Sequence, residues 1–114
     1  MVVKALRLFV VSAFLVLISA GFAMAKDIVV VNGTSFSLHG MALSPSESNS
    51  WGKDFLENDV LNPGDSMTIT VNGDLKGWDL AVVDDEKNQL EFKKLDFSKV
   101  HKVTLLSDGT ANLE

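Results

Sequence analysis

His39, Met41, Met67 and His101 are the side chains of this sequence best suited to hold a soft metal ion. Imidazole together with thioether suits copper. A His39-x-Met41 pair on one strand would point to one face, where Met67 or His101 can join it from a facing layer. An ordinary strand presents the same spacing, so the copper reading is an alternative. Hard-ion chemistry would draw on acids instead. Asp84-Asp85-Glu86 with Asn88 forms one polar run, and Asp54, Glu57 and Asp59 lie in another. Calcium takes about six to eight oxygens in a cage. Neither run has the EF-hand spacing, and a solvated acidic turn is the simpler account. A Ser-His-Asp set can be named only on paper, because a triad is defined by geometry. No nucleophile-elbow, P-loop or dinucleotide motif is present. No catalytic residue is assigned, the chain is read as a non-enzyme, and a hydrolase ranks last.

Binding chemistry centres on Ser44-Pro-Ser-Glu-Ser-Asn-Ser-Trp-Gly-Lys-Asp-Phe-Leu56. This serine-rich stretch holds Trp51, Asp54 and Phe55, the candidate binding residues. Exposed aromatics on loops often anchor recognition, because they bury a large area at small entropic cost. A structural role competes with that one. Trp51, Phe55 and Leu56 would fold the loop back as a lid on the open end of a small core, with Val60 and Leu61 packed beneath. That role is preferred. Ser50 is placed to cap a short helical turn near 50–57, on which Trp51 and Phe55, at i and i+4, share a face.

Short strands separated by turn signals must position these residues. Ile28-Val29-Val30-Val31 is a β-branched run, expected to stop at Asn32-Gly33. Phe36 to Leu43 follows, with an alternation that changes phase near Gly40, where a β-bulge would absorb the slip. Asn62-Pro63-Gly64-Asp65 has the residue order of a type II turn. Met67-Thr68-Ile69-Thr70-Val71 alternates strictly, and Trp78 to Val83 places Trp78, Leu80 and Val82 on one side. Leu90 and Phe92 make a return strand, 95–98 an irregular crossover, and Val100 to Leu106 a late strand before a short tail. The fold class is therefore all-β: a small antiparallel, immunoglobulin-like β-sandwich of about six or seven strands.

The first 25 residues have the layout of a secretory signal peptide: Lys4 and Arg7, an apolar run from Leu8 to Gly21, and Ala23-Met24-Ala25 as a cleavage site. Cleavage after Ala25 leaves 89 of the 114 residues, from Lys26 to Glu114, as a single domain. It removes Arg7 and Lys4, which takes the formal charge from −5 to about −7 and leaves lysine as the sole basic residue type besides histidine. An arginine-free acidic domain is a poor nucleic-acid binder, and no membrane contact is expected once the signal is gone. The cysteine count is zero, which excludes disulfides, thiolate nucleophiles and cysteine-ligated metals.

Val31-Asn-Gly-Thr34, Ser44-Pro-Ser-x-Ser48-x-x-Trp51-Gly-x-Asp54-x-Leu56 and Leu61-x-Pro-Gly-x-Ser66, followed by Trp78-Asp-Leu80 and Leu95-x-Phe97-x-x-Val100-x-x-Val-Thr-Leu105, together resemble a group of small exported bacterial proteins of uncharacterised function. Members of that group often carry a cysteine pair in the later half, which this chain lacks. The resemblance implies a plan and a compartment, and it brings no activity or site. The expectation is a periplasmic or secreted, non-catalytic binding or accessory module of the bacterial cell envelope. Its partner is a protein or small ligand and it has no cofactor. The alternative is a periplasmic protein that binds copper or calcium.

Overall fold

The structure is a computed structural model and describes residues 25–114. Residues 1–24, all but the last of the expected signal peptide, lie outside the described residues. Seven strands form two sheets: β1 (Ala25–Gly33), β2 (Gly40–Pro45), β3 (Ser66–Asn72), β4 (Trp78–Val83), β5 (Gln89–Leu95), β6 (Lys102–Leu106) and β7 (Ala111–Leu113). The larger sheet has the order β3-β1-β6-β7 and the smaller β2-β4-β5. The fold is an all-β sandwich, as the alternation implies. The division into four and three strands is that of a constant-type immunoglobulin domain, although the strand order differs from it.

β1 explains the larger sheet. Ile28 and Val30 face the core fully buried, while Val29 and Val31 on the other face are half-buried. A strand apolar in both phases suits a central position, and β1 lies between β3 and β6. Its pairing with β3 is antiparallel, Val30 opposite Met67. Its pairing with β6 is parallel, Val30 opposite Val103, which departs from the purely antiparallel expectation. Sequence alternation reports which face is buried and carries no strand direction, so the parallel pair was not visible in it.

Asn32-Gly33 does not stop β1. The strand runs through both residues, and Gly33 lies against β6: a Cβ there would meet the Leu105 carbonyl oxygen at 2.7 Å and Thr104 Cγ2 at 2.8 Å. Glycine is needed at this position for close backbone approach, not for a turn. The expected bulge at Gly40 is also absent. Leu38 bridges Leu61, whereas Gly40–Pro45 pairs in unbroken register with β4. The change of phase is therefore a change of pairing partner. The irregularity falls instead in the β4–β5 ladder, between Trp78 and Leu80. The type II turn forms as read: Gly64 has φ +89° and the Asp65 N–H donates to the Asn62 carbonyl at 2.9 Å.

Between the sheets lie Ile28, Val30, Ile69, Val71, Val103 and Leu105 from one side and Met41, Leu43, Leu80, Val82 and Phe92 from the other. Leu38, Leu56, Leu61 and Phe97 from the connections extend this core. With no cysteine to staple it, the domain depends on this packing and on buried polar clamps. The principal clamp is Asn32, fully buried at the end of β1. Its Nδ2 donates to the carbonyls of Leu61 at 2.8 Å and Phe36 at 2.9 Å, and its Oδ1 accepts from the N–H and hydroxyl of Thr34.

Candidate functional site

The loop after β2 makes no helical turn, contrary to the expectation for 50–57. Its amides bond sideways to β2 rather than along the loop: Gly52 N–H donates to the Leu43 carbonyl at 2.8 Å, and Phe55 N–H to that of Met41 at 2.7 Å. The edge of β2 offered partners for these amides, and Gly52 lowers helix propensity. Asp54 completes the seam. Its Oδ1 accepts from Met41 N–H at 3.0 Å and Leu56 N–H at 2.9 Å. Upstream, the fully buried Ser44 hydroxyl accepts from Ser50 N–H at 2.9 Å and lies 3.1 Å from Ser48 Oγ. The serines therefore knit the loop to itself.

This course sets Phe55 apart from Trp51 and Asp54, which line one groove. Phe55 is half-buried against the core, and the Lys53 ammonium lies 5.7 Å from its ring centroid. Leu56, at 3% exposure, is the residue that anchors the loop in the core. Trp51 is not part of that packing. It is half-buried on the outer side of the small sheet, where it walls a groove of about 320 Å³ floored by Gly40, Ala42, Ala81 and Val83 and flanked by Asp54 and Gln89. Asp54 thus has two roles: Oδ1 holds the loop, and Oδ2 has no partner among the described residues. The reading of Trp51 as the plug is corrected, because Leu56 and Phe55 fill that place. Leu61 packs beneath them as expected, but Val60 points outward at 42% exposure. The structurally committed tryptophan is Trp78, which packs on the core and donates from Nε1 to the Asp74 carbonyl at 2.7 Å.

The copper candidates fall in different environments. Met41 is buried in the core, and Met67 is half-buried on β3. His39 and His101 are exposed and lie just before strands of different sheets: His39 N–H bonds to Val83 of β4, and His101 N–H to the Glu114 carbonyl beside β6. Among the described residues, no three of His, Asp and Glu gather around a common point. In the acidic run, Asp84 is engaged in its own turn. It accepts from the N–H groups of Glu86 and Asn88 and from Asn88 Nδ2, and these bonds hold its pKa below the usual carboxylate value.

One carboxylate beside the groove was not expected. Asp79 faces the outer side of β4, yet it is 3% exposed. It accepts from Ser46 Oγ at 3.0 Å, Glu47 N–H at 3.3 Å and Lys94 N–H at 2.9 Å, with Lys93 Nζ at 3.5 Å. Burial acts to raise its pKa. The Lys94 and Glu47 amides, the Ser46 hydroxyl and the Lys93 charge outweigh burial and hold it below the ordinary value. Glu47 and Lys94 both have left-handed φ, +69° and +58°. Non-glycine residues adopt that conformation at a cost, so Asp79 holds two strained segments, the serine loop and the β5 irregularity, against one strand. In sequence, an acid between Trp78 and Leu80 reads as a solvent-facing strand residue, and nothing local marks it as a hub.

No family model, curated protein or solved structure matches the chain, so a functional reading rests on this geometry and on the sequence.

Proposed function

We propose that this chain is an exported, non-catalytic binding or accessory module of the cell envelope, and that its ligand seat is the groove walled by Trp51. The position of the indole carries the reading. A large aromatic side chain stands beside a floor of small residues, outside the core, on a loop that other residues anchor. Such a wall supplies apolar area with little motion to lose on binding. The neighbouring Asp54 Oδ2 and Gln89 supply polar contacts that orient a ligand. The groove has the volume of a small-ligand site, so the ligand is a small molecule or a short protruding segment of an envelope protein. Export is supported by the charged, apolar and small-residue layout of residues 1–25. The acidic, arginine-free remainder supports the exclusion of nucleic acid.

Immobilised Lys26–Glu114 is the probe. From an envelope extract, the wild-type domain is expected to retain at least one species whose recovery falls about tenfold or more with Trp51→Ala, the behaviour of an aromatic hot spot. Equal recovery on both columns would remove the groove from the proposal. The exported protein is also expected to have the mass of residues 26–114.

A further inference from the structure

Among the described residues the sandwich has four sheet edges, and three of them are protected. The edge of β2 is bonded to Gly52, Asp54 and Phe55 of the loop. β5 carries Glu91, Lys93 and Lys94 together with the ladder irregularity. β7 is three residues long. Charges, irregularities, covering loops and short length are the usual devices that prevent one sheet from adding to another. β3 uses none of them. Ser-Met-Thr-Ile-Thr-Val-Asn is seven residues long, has no charge and no proline, and pairs in unbroken register with β1 on its inner side.

The phase of the β1–β3 ladder shows which backbone groups face outward. Asn32 N–H donates to the Asp65 carbonyl, and Val29 N–H points away from β3 to the His101 carbonyl. Residues 65, 67, 69 and 71 therefore bond to β1. Ser66, Thr68, Thr70 and Asn72 turn their N–H and C=O groups to the outside, with no backbone partner among the described residues.

We propose that this edge pairs with the same edge of a second copy, antiparallel about a two-fold axis at Ile69, so that two four-stranded sheets join into one. The sequence is self-complementary in that register. Thr68 faces the second copy's Thr70, Ser66 faces Asn72, Met67 faces Val71, and Ile69 faces itself. Outward-facing residues then form the hydrogen-bonded pairs. Threonine meets threonine and apolar meets apolar, both favourable cross-strand combinations. Charge argues for a second copy over a cationic partner, because the strand is neutral within an acidic chain. It is the stretch where two such chains can approach without opposing carboxylates directly. Val60, 42% exposed, borders the start of β3 with the half-buried Met67, which adds apolar area at the margin. Asp65 and Asp74 lie just beyond the two ends of the strand, so each approaches the second copy's Asp74 or Asp65. This repulsion is screened by salt, so the association strengthens as salt is raised.

Sedimentation equilibrium of Lys26–Glu114 is the test. The wild-type domain is expected to show a reversible dimer that tightens with salt. Thr68→Lys/Thr70→Lys places like charges opposite each other at exposed positions, and is expected to raise the dimer dissociation constant about tenfold or more. The unfolding midpoint of the dilute monomer should stay close to wild type. Thr68→Pro deletes an outward N–H that β1 does not use and should weaken the dimer in the same way. A wild-type domain that stays monomeric at its highest soluble concentration would overturn the proposal. So would a double-lysine variant that dimerises as tightly as wild type.

Discussion

Asn32→Ala is expected to lower the unfolding free energy by about 2–4 kcal/mol, because it removes every bond of a buried amide and leaves a backbone N–H without an acceptor. Asn32 has no exposure. Removing its amide leaves the Thr34 N–H without its acceptor and takes one of two donors from the Leu61 and Phe36 carbonyls, which keep Leu38 N–H and Thr34 Oγ1. These positions lie on two segments: Thr34 and Phe36 on the connection from β1 to β2, and Leu61 on the chain that leads into the type II turn. The Asn32 backbone also bonds to that turn, with its N–H to the Asp65 carbonyl and its carbonyl to Gly64 N–H. The side chain therefore fixes the position of β2 relative to β1. Asn32→Asp tests the amide separately from the shape: the carboxylate can still accept from Thr34, but it has no donor for Leu61 and Phe36. Denaturant unfolding should place Asn32→Asp nearly as low as Asn32→Ala. A loss under about 0.5 kcal/mol in both, the size of an ordinary surface change, would show that the network does not clamp the fold.

Asp79→Ala is expected to cost about 2–4 kcal/mol, because hydrogen bonds to a charged group are worth roughly twice neutral ones and two backbone amides lose their acceptor. Those amides belong to Glu47 and Lys94, the two left-handed residues that the carboxylate holds. The same group gives the protein an acid-sensitive element. Its folded pKa lies below the ordinary 3.8, so its contribution is fully present above the unfolded value and is lost as pH falls through the folded one. Asp84, Asp96 and Asp108 shift in the same direction through bonds within their own turns, and they add to the trend. Stability of the wild type should therefore hold from neutral pH down to about pH 5 and decline in more acid solution. In Asp79→Asn the decline should be shallower. Parallel pH curves for the two proteins would show that Asp79 carries no part of it.

Much of the sandwich is visible in the alternation of single segments. Ile69 and Val71 are buried between exposed threonines, and Leu80 and Val82 are buried in phase with the half-buried Trp78. Burial on one face leaves a period-two trace, and the Pro-Gly pair encodes its own turn. Features set by distant segments were not visible. Gly33 looks like half of a turn until β6 lies so close that a Cβ there would meet the Leu105 carbonyl oxygen at 2.7 Å. Asp79 looks solvated until the serine loop and Lys94 close over it. Trp51 and Leu56 share one polar loop, and composition cannot say which of them turns inward. That choice follows from the β2 edge, which draws the loop into an extended seam where a helical spacing would have placed Trp51 and Phe55 together. The candidate site was legible as residues, but not as a groove.

Equilibrium unfolding of Trp51→Ala in denaturant tests most directly whether the loop is held without its tryptophan, which leaves the indole for a ligand. A loss of about 1 kcal/mol or less is predicted, since a half-buried groove wall gives up little packing. A loss of about 3 kcal/mol or more, the cost of emptying a core aromatic site, would make Trp51 the plug and contradict the binding account.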